Sequence, residues 1–143
     1  MSIWKIAAVQ MNCQFADTSA NREKIRAKFR EAVGQGAKLV IFPECILTGY
    51  GFESAEEAWP HTETLPGQTT ETLAQDCREL QAWCVFGLLE RAGEHFFNSC
   101  ALVGPEGFVT SYRKIHLPYL GVDRFTARES HDAQRNGSKA RNR

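Results

Sequence analysis

The feature that most constrains this chain is a set of short apolar runs that do not alternate with polar residues. Ile3 to Met11 (IWKIAAVQM), Leu39 to Phe42 (LVIF) and Trp83 to Leu89 (WCVFGLL) are of this kind. A strand with one wet face alternates, whereas a strand covered on both faces reads as a mostly continuous apolar stretch. The cover is available between the runs. From Ala20 to Val33, the residues Ile25, Phe29, Ala32 and Val33 recur at helical spacing among charged side chains. Asp17, Thr18 or Ser19 could cap that helix, and Gly34 and Gly36 close it. Thr70 to Ala82 repeats the pattern with Leu73, Cys77 and Leu80 on one face.

Two further strands are predicted over Phe96 to Val103 and Phe108 to Arg113, joined by a hairpin turn at Gly104-Pro105-Glu106-Gly107. Strand, helix, strand, helix, strand and then a hairpin implies parallel pairing early and antiparallel pairing late. The expected class is α/β with a mixed sheet. A loop rich in Gly and Pro, carrying Tyr50, Phe52 and Trp59, separates the second strand from the second helix. Residues 126–143 contain no Val, Ile, Leu, Met or aromatic side chain, so they read as a polar, disordered tail after a domain over residues 1–125.

Charge narrows the partners. Seventeen basic and seventeen acidic side chains cancel, so no net field favours nucleic acid or an anionic membrane. A small-molecule ligand is expected. Apolar runs fall far short of a membrane span. The five cysteines (Cys13, Cys45, Cys77, Cys84, Cys100) show no C-x-x-C pair and no preceding secretory signal, and read as reduced thiols of a cytoplasmic protein. His61, His95, His116 and His131 are too scattered for a metal site, and no metal or cofactor is expected.

Two residues stand out for chemistry. Pro43 stops the second strand, so Glu44 lies just past a strand's carboxyl end, where open α/β sheets bind ligands. A carboxylate there can serve as a base, or simply as a solvated loop acid. Lys114 closes the last strand, on one face with Phe108, Thr110 and Tyr112 by the period of two. The plain alternative is a solvated lysine guarding a sheet edge.

Taken together, Ala7-Ala8-Val9-Gln10-Met11, Gly36 to Glu44 (GAKLVIFPE), Leu47-Thr48-Gly49-Tyr50 and Tyr112 to Leu117 (YRKIHL) occur in an order that resembles the nitrilase superfamily of carbon–nitrogen hydrolases. The resemblance runs from about Ile3 to Phe125. It implies part of a four-layer α-β-β-α sandwich and a Glu-Lys-Cys site acting on amides, nitriles, N-carbamoyl compounds or ureido acids. Glu44 matches the general base and Lys114 the cation facing the developing oxyanion. Members often carry a further acid after the lysine. Asp123 is the nearest here, and a loop acid paired with Arg124 is its other reading. Asn98 and Glu90 are candidates to line the same region, and Asn98 could equally bond neighbouring backbone in its strand.

The nucleophile of that family follows the lysine in an apolar strand meeting Cys-Tyr-Asp or a close variant. Here all five cysteines precede Lys114. Cys45 adjoins Glu44, but neighbouring side chains at a strand end diverge, and the other four read as small buried hydrophobes. The expectation is the N-terminal half of a hydrolase, truncated and inactive alone, with one sheet face and an edge uncovered. Self-association or pairing with a homologue would follow. The alternative is a non-catalytic fragment or a module that binds a full-length homologue.

Overall fold

The computed structural model describes residues 3–127. Its centre is a five-stranded mixed sheet in the order β1-β2-β3-β4-β5. The strands are β1 (Ile6–Ala8), β2 (Leu39–Ile41), β3 (Trp83–Ala92), β4 (His95–Gly104) and β5 (Gly107–Arg113). The first three run parallel. β3, β4 and β5 are antiparallel neighbours. This is the mixed α/β sheet expected from the order of elements.

Helix α1 (Thr18–Gly34) starts at Asp17, whose Oδ1 accepts from Ala20 N at 2.9 Å; of the three possible caps, Asp17 is the one used. A short α2 (Ala55–Ala58) and a 3-10 turn over Trp59–His61 break up the long loop. They were not visible as a periodic pattern because they are too short to show one. Helix α3 (Gln68–Leu80) begins two residues before the expected Thr70. The Thr70 hydroxyl accepts from Gly67 N and donates to Gly67 O, each at 2.8 Å, so Thr70 sits inside the first turn and closes it. Gln81, left-handed at φ 51, ends the helix before Ala82.

Both long helices cover one face of the sheet. Ile25 and Phe29 of α1 and Leu73 and Cys77 of α3 pack with Val40, Cys84, Phe86, Leu88, Ala101 and Val103 in the main core. Phe108 joins that core, and this corrects its placement with Tyr112 and Lys114. A bulge at Leu102/Val103 pairs Phe108 with Val103 but Thr110 with Leu102. One extra residue reverses the alternation, so Phe108 faces the helices while Thr110 and Tyr112 face away.

The opposite face is covered only in part. The loop after β2 crosses it, and Cys45, Phe52 and Ala58 pack there on Leu89, Phe96 and Val122. Among the described residues nothing covers the rest of that face, and Ile6 is 58%, Ile41 38% and Tyr112 50% exposed. Beyond Phe125, Thr126 N bonds to Val122 O at 3.2 Å and Ala127 N to Phe96 O at 2.8 Å. These two residues are therefore tied to the body, whereas the remainder of the polar tail lies outside the described residues. Among those residues no helix is long and apolar enough to cross a membrane.

Candidate functional site

At the border between the covered and open parts of that face, four side chains from four segments converge: Glu44, Asn98, Lys114 and Asp123. Glu44 arrives from the carboxyl end of β2. Pro43, Glu44 and Cys45 lie directly on Gly87 of β3, where an added Cβ would stand 2.5 Å from Cys45 N and 2.7 Å from Pro43 O. Glycine at this position lets the turn approach the strand. Cys45 is left-handed at φ 47 and turns the chain away after Glu44.

Lys114 follows the last residue of β5, and its N–H bonds to Asn98 O at 2.7 Å, so the ladder continues to this point. Asp123 comes from a 3-10 turn over Gly121–Arg124. That turn is anchored by Val122 N to Tyr50 O at 2.9 Å. Gly121 has φ +49, and a Cβ there would enter the Tyr50 ring.

Lys114 Nζ donates to Glu44 Oε1 at 2.8 Å and to Asp123 Oδ2 at 2.6 Å. Asn98 Nδ2 donates to the same two carboxylates, at 2.6 Å to Glu44 Oε1 and 2.8 Å to Asp123 Oδ1. Tyr50 donates its hydroxyl to Asp123 Oδ2 at 3.0 Å. The Asp123 side chain is fully buried while that of Glu44 is half exposed. A buried carboxylate is tolerated where a cation and neutral donors surround it. Asp123 is thus held from three sides, and its partner is Lys114. Arg124 turns instead to Phe52 O and Gly121 O.

The charges follow from these contacts. Burial works against the Lys114 ammonium, but hydrogen bonds to Asp123 and Glu44 outweigh it and hold its pKa above the usual lysine value. Burial, then the hydrogen bond to Asp123, pushes the Tyr50 phenol up to about 12. For Cys45, burial first and the Glu44 charge second push the thiol well above its ordinary range, despite Lys114 nearby. Its Sγ donates to Asn98 Oδ1 at 3.6 Å. A thiol in such surroundings is inert rather than activated.

Of the sequence candidates, Glu44, Lys114, Asp123 and Asn98 come together. Glu90 does not, because it pairs with Phe97 on the helix-covered face and bonds Ser99 Oγ at 2.8 Å and Arg113 Nε at 2.9 Å. Adjacent positions on a strand point oppositely, which separates Glu90 from the Asn98 side. Tyr50 has no role assigned from sequence beyond belonging to a recognisable segment. Cys77 and Cys84 are buried, but Cys13 and Cys100 are only half-buried, correcting their reading as core residues. A cleft of about 300 Å3 lies beside the cluster, lined by Glu44, Lys114, Tyr112, Cys100, Ile41 and Val85 among others.

Fold and site define a class: an α/β protein with a lysine clamped between two carboxylates next to a strand's carboxyl end, opening on an apolar cleft. Comparison with known proteins sharpens that class. Residues 5–138 match the family profile described as carbon-nitrogen hydrolase. A nitrilase of Pyrococcus abyssi is 42% identical over 116 residues, covering 80% of this chain and 44% of the relative. The omega-amidase of Homo sapiens is 34% identical over 120 residues, covering 82% of this chain and 42% of the relative. Among solved structures, a CN-hydrolase superfamily protein of Xanthomonas campestris, described with an arsenic adduct in its active site, aligns with a TM-score of 0.78 and 26% identity, covering 92% of this chain and 48% of that one. The chain belongs to the carbon–nitrogen hydrolase family. It spans less than half the length of these curated relatives.

Proposed function

We propose that this chain supplies the base and the cation of a thiol hydrolase acting on small amides, nitriles or related non-peptide carbon–nitrogen bonds. The observation that supports this most is the Glu44–Lys114–Asp123 cluster at the mouth of the cleft. In this reading Glu44 takes the proton of an attacking thiol and later activates the water that hydrolyses the acyl-enzyme. Its half-exposed carboxylate can reach an incoming group. Two of the three N–H donors of Lys114 are engaged by carboxylates, which leaves a third for an oxyanion in the cleft. Such a donor contributes about 3 kcal/mol to the transition state. Asp123, buried, fixes the lysine and keeps it charged.

The thiol itself comes from a further polypeptide segment in this reading. Cys45 is the cysteine adjoining Glu44, and it is buried, hydrogen-bonded to Asn98 and held protonated. The segment that brings the nucleophile would lie over the open sheet face beside the cleft. By similarity to the omega-amidases and the nitrilase, a small amide or nitrile is the substrate class to try.

The experiment is complementation. The purified chain is mixed with the C-terminal portion of the Pyrococcus abyssi nitrilase, and release of ammonia from small amides and nitriles is followed. Turnover is expected in the mixture and a loss of roughly 100-fold or more with Lys114→Met. Turnover by the chain alone, abolished by Cys45→Ala, would refute the assignment. The open apolar face favours a second reading, a non-catalytic module docking on a full-length homologue through that face. It predicts stable co-purification with the homologue that Glu44→Gln and Lys114→Met leave unchanged, and no turnover in the mixture.

A further inference from the structure

Asn98 occupies the point where β4, the turn after β2 and the 3-10 turn over Gly121–Arg124 meet. A primary amide has two N–H donors and one carbonyl acceptor. The Asn98 Nδ2 bonds reach Glu44 Oε1 at 2.6 Å and Asp123 Oδ1 at 2.8 Å, and its Oδ1 accepts from the Cys45 thiol at 3.6 Å. The reverse amide orientation would turn an oxygen on both carboxylates, so the neighbours fix which way it points. The residue is 3% exposed, which leaves solvent no part in these bonds. The titratable groups around it are Glu44, Asp123, Lys114 and Cys45, with Tyr50 bonded to Asp123.

Lys114 alone does not fix this geometry. An ammonium on a flexible stem attracts carboxylates from many directions, and the Glu44 side chain is half exposed. A neutral donor that bonds both anions sets the separation between them without adding charge. A carboxylate at the same position would instead place three acids around one lysine.

We propose that Asn98 is the positioning residue of this site, a neutral crossbar that holds Glu44 and Asp123 on either side of Lys114 and accepts a hydrogen bond from the Cys45 thiol. The inference rests on the reading of Glu44 and Lys114 as the catalytic pair. Asn98 acts through them and not on substrate.

The test uses the full chain and thermal unfolding between pH 5.5 and 8.5, with Asn98→Leu, Asn98→Asp and the exchanged pair Asn98→Asp/Asp123→Asn. Asn98→Leu is expected to lower Tm by a similar amount across this range. Asn98→Asp is expected to fall further behind wild type as pH rises. Its carboxyl, facing two anions, has a folded pKa raised above the unfolded value of about 3.9, so stability is lost as pH climbs towards the folded value. The exchanged pair restores one amide and one carboxylate and should remove most of that pH-dependent part. A flat deficit for Asn98→Asp, or a pH-dependent part untouched by the exchange, would overturn the proposal.

Should Asn98→Asp fail to fold, NMR of the Asn98 side-chain amide decides. One Nδ2 proton should respond chiefly to Glu44→Gln and the other to Asp123→Asn, and equal or absent responses overturn the crossbar. The catalytic reading fails separately, through complemented turnover that is indifferent to Lys114→Met.

Discussion

At the scale of single residues, the chemistry of the site depends on how Lys114 is kept charged and aimed. Its pKa is raised by carboxylate partners that overcome burial. A base with a raised folded pKa contributes stability that is complete below the unfolded value, about 10.4, and lost as pH rises through the folded value. The Tm deficit of Lys114→Met should therefore stay nearly constant from pH 6 to 9, as read by calorimetry. A deficit that vanished by pH 8 would mean that the lysine loses its proton near neutrality. Sequence position put Glu44 and Lys114 at strand ends but left each a plain alternative, and only the ordered segments that resemble the hydrolase family marked them as site candidates. The role of Tyr50 was not legible, because its hydroxyl reaches Asp123 across 73 positions of chain. Nothing in local pattern reports such a contact.

At the scale of elements, two devices hold the parts in register. Asp76 of α3 is 1% exposed and bonds Arg26 Nε at 2.8 Å and Arg30 on α1. Burial raises the pKa of this carboxyl, but hydrogen bonds from both arginines outweigh it, and the value lies below the usual range. An acid with a depressed pKa contributes stability above its unfolded value, about 3.9, which is lost as pH falls through the folded value. Asp76→Asn should cost about 2 kcal/mol at pH 7. Its deficit should shrink in acid below about pH 4, measured by denaturant unfolding. The second device is Gly87, on which the Pro43–Cys45 turn rests. Gly87→Ala should destabilise by about 1–3 kcal/mol and displace Glu44, visible as a changed chemical shift for Lys114. The sheet and both helices were readable from period, but the face of Phe108 was not. A bulge changes alternation without any signal in composition, and only the pairing of Val103 with Phe108 reveals it.

At the scale of the whole molecule, the two faces of the sheet differ: one is covered by helices, and the described residues leave the other partly open. Helices α1 and α3 bury one side of the sheet, while Ile6, Ile41 and Tyr112 remain exposed on the other. A contiguous apolar patch of this kind favours association. Sedimentation should show concentration-dependent self-association that Ile41→Asp combined with Tyr112→Asp reduces, with the fold retained by circular dichroism. The open face was anticipated from counting strands and helices, since five strands with two long helices leave too little cover. Its partial closure by the loop from Cys45 to Ala58 was not, because that loop has no periodic pattern to read.

In the proposed reaction this chain contributes base and cation while the acyl group is carried on a thiol from another segment. The most direct measurement is intact mass of both polypeptides after quenching the complemented mixture with a slowly deacylating ester or amide. The acyl adduct should appear on the nitrilase portion, disappear with Glu44→Gln, and be absent from the 143-residue chain. An adduct on this chain that is lost with Cys45→Ala would contradict the claim.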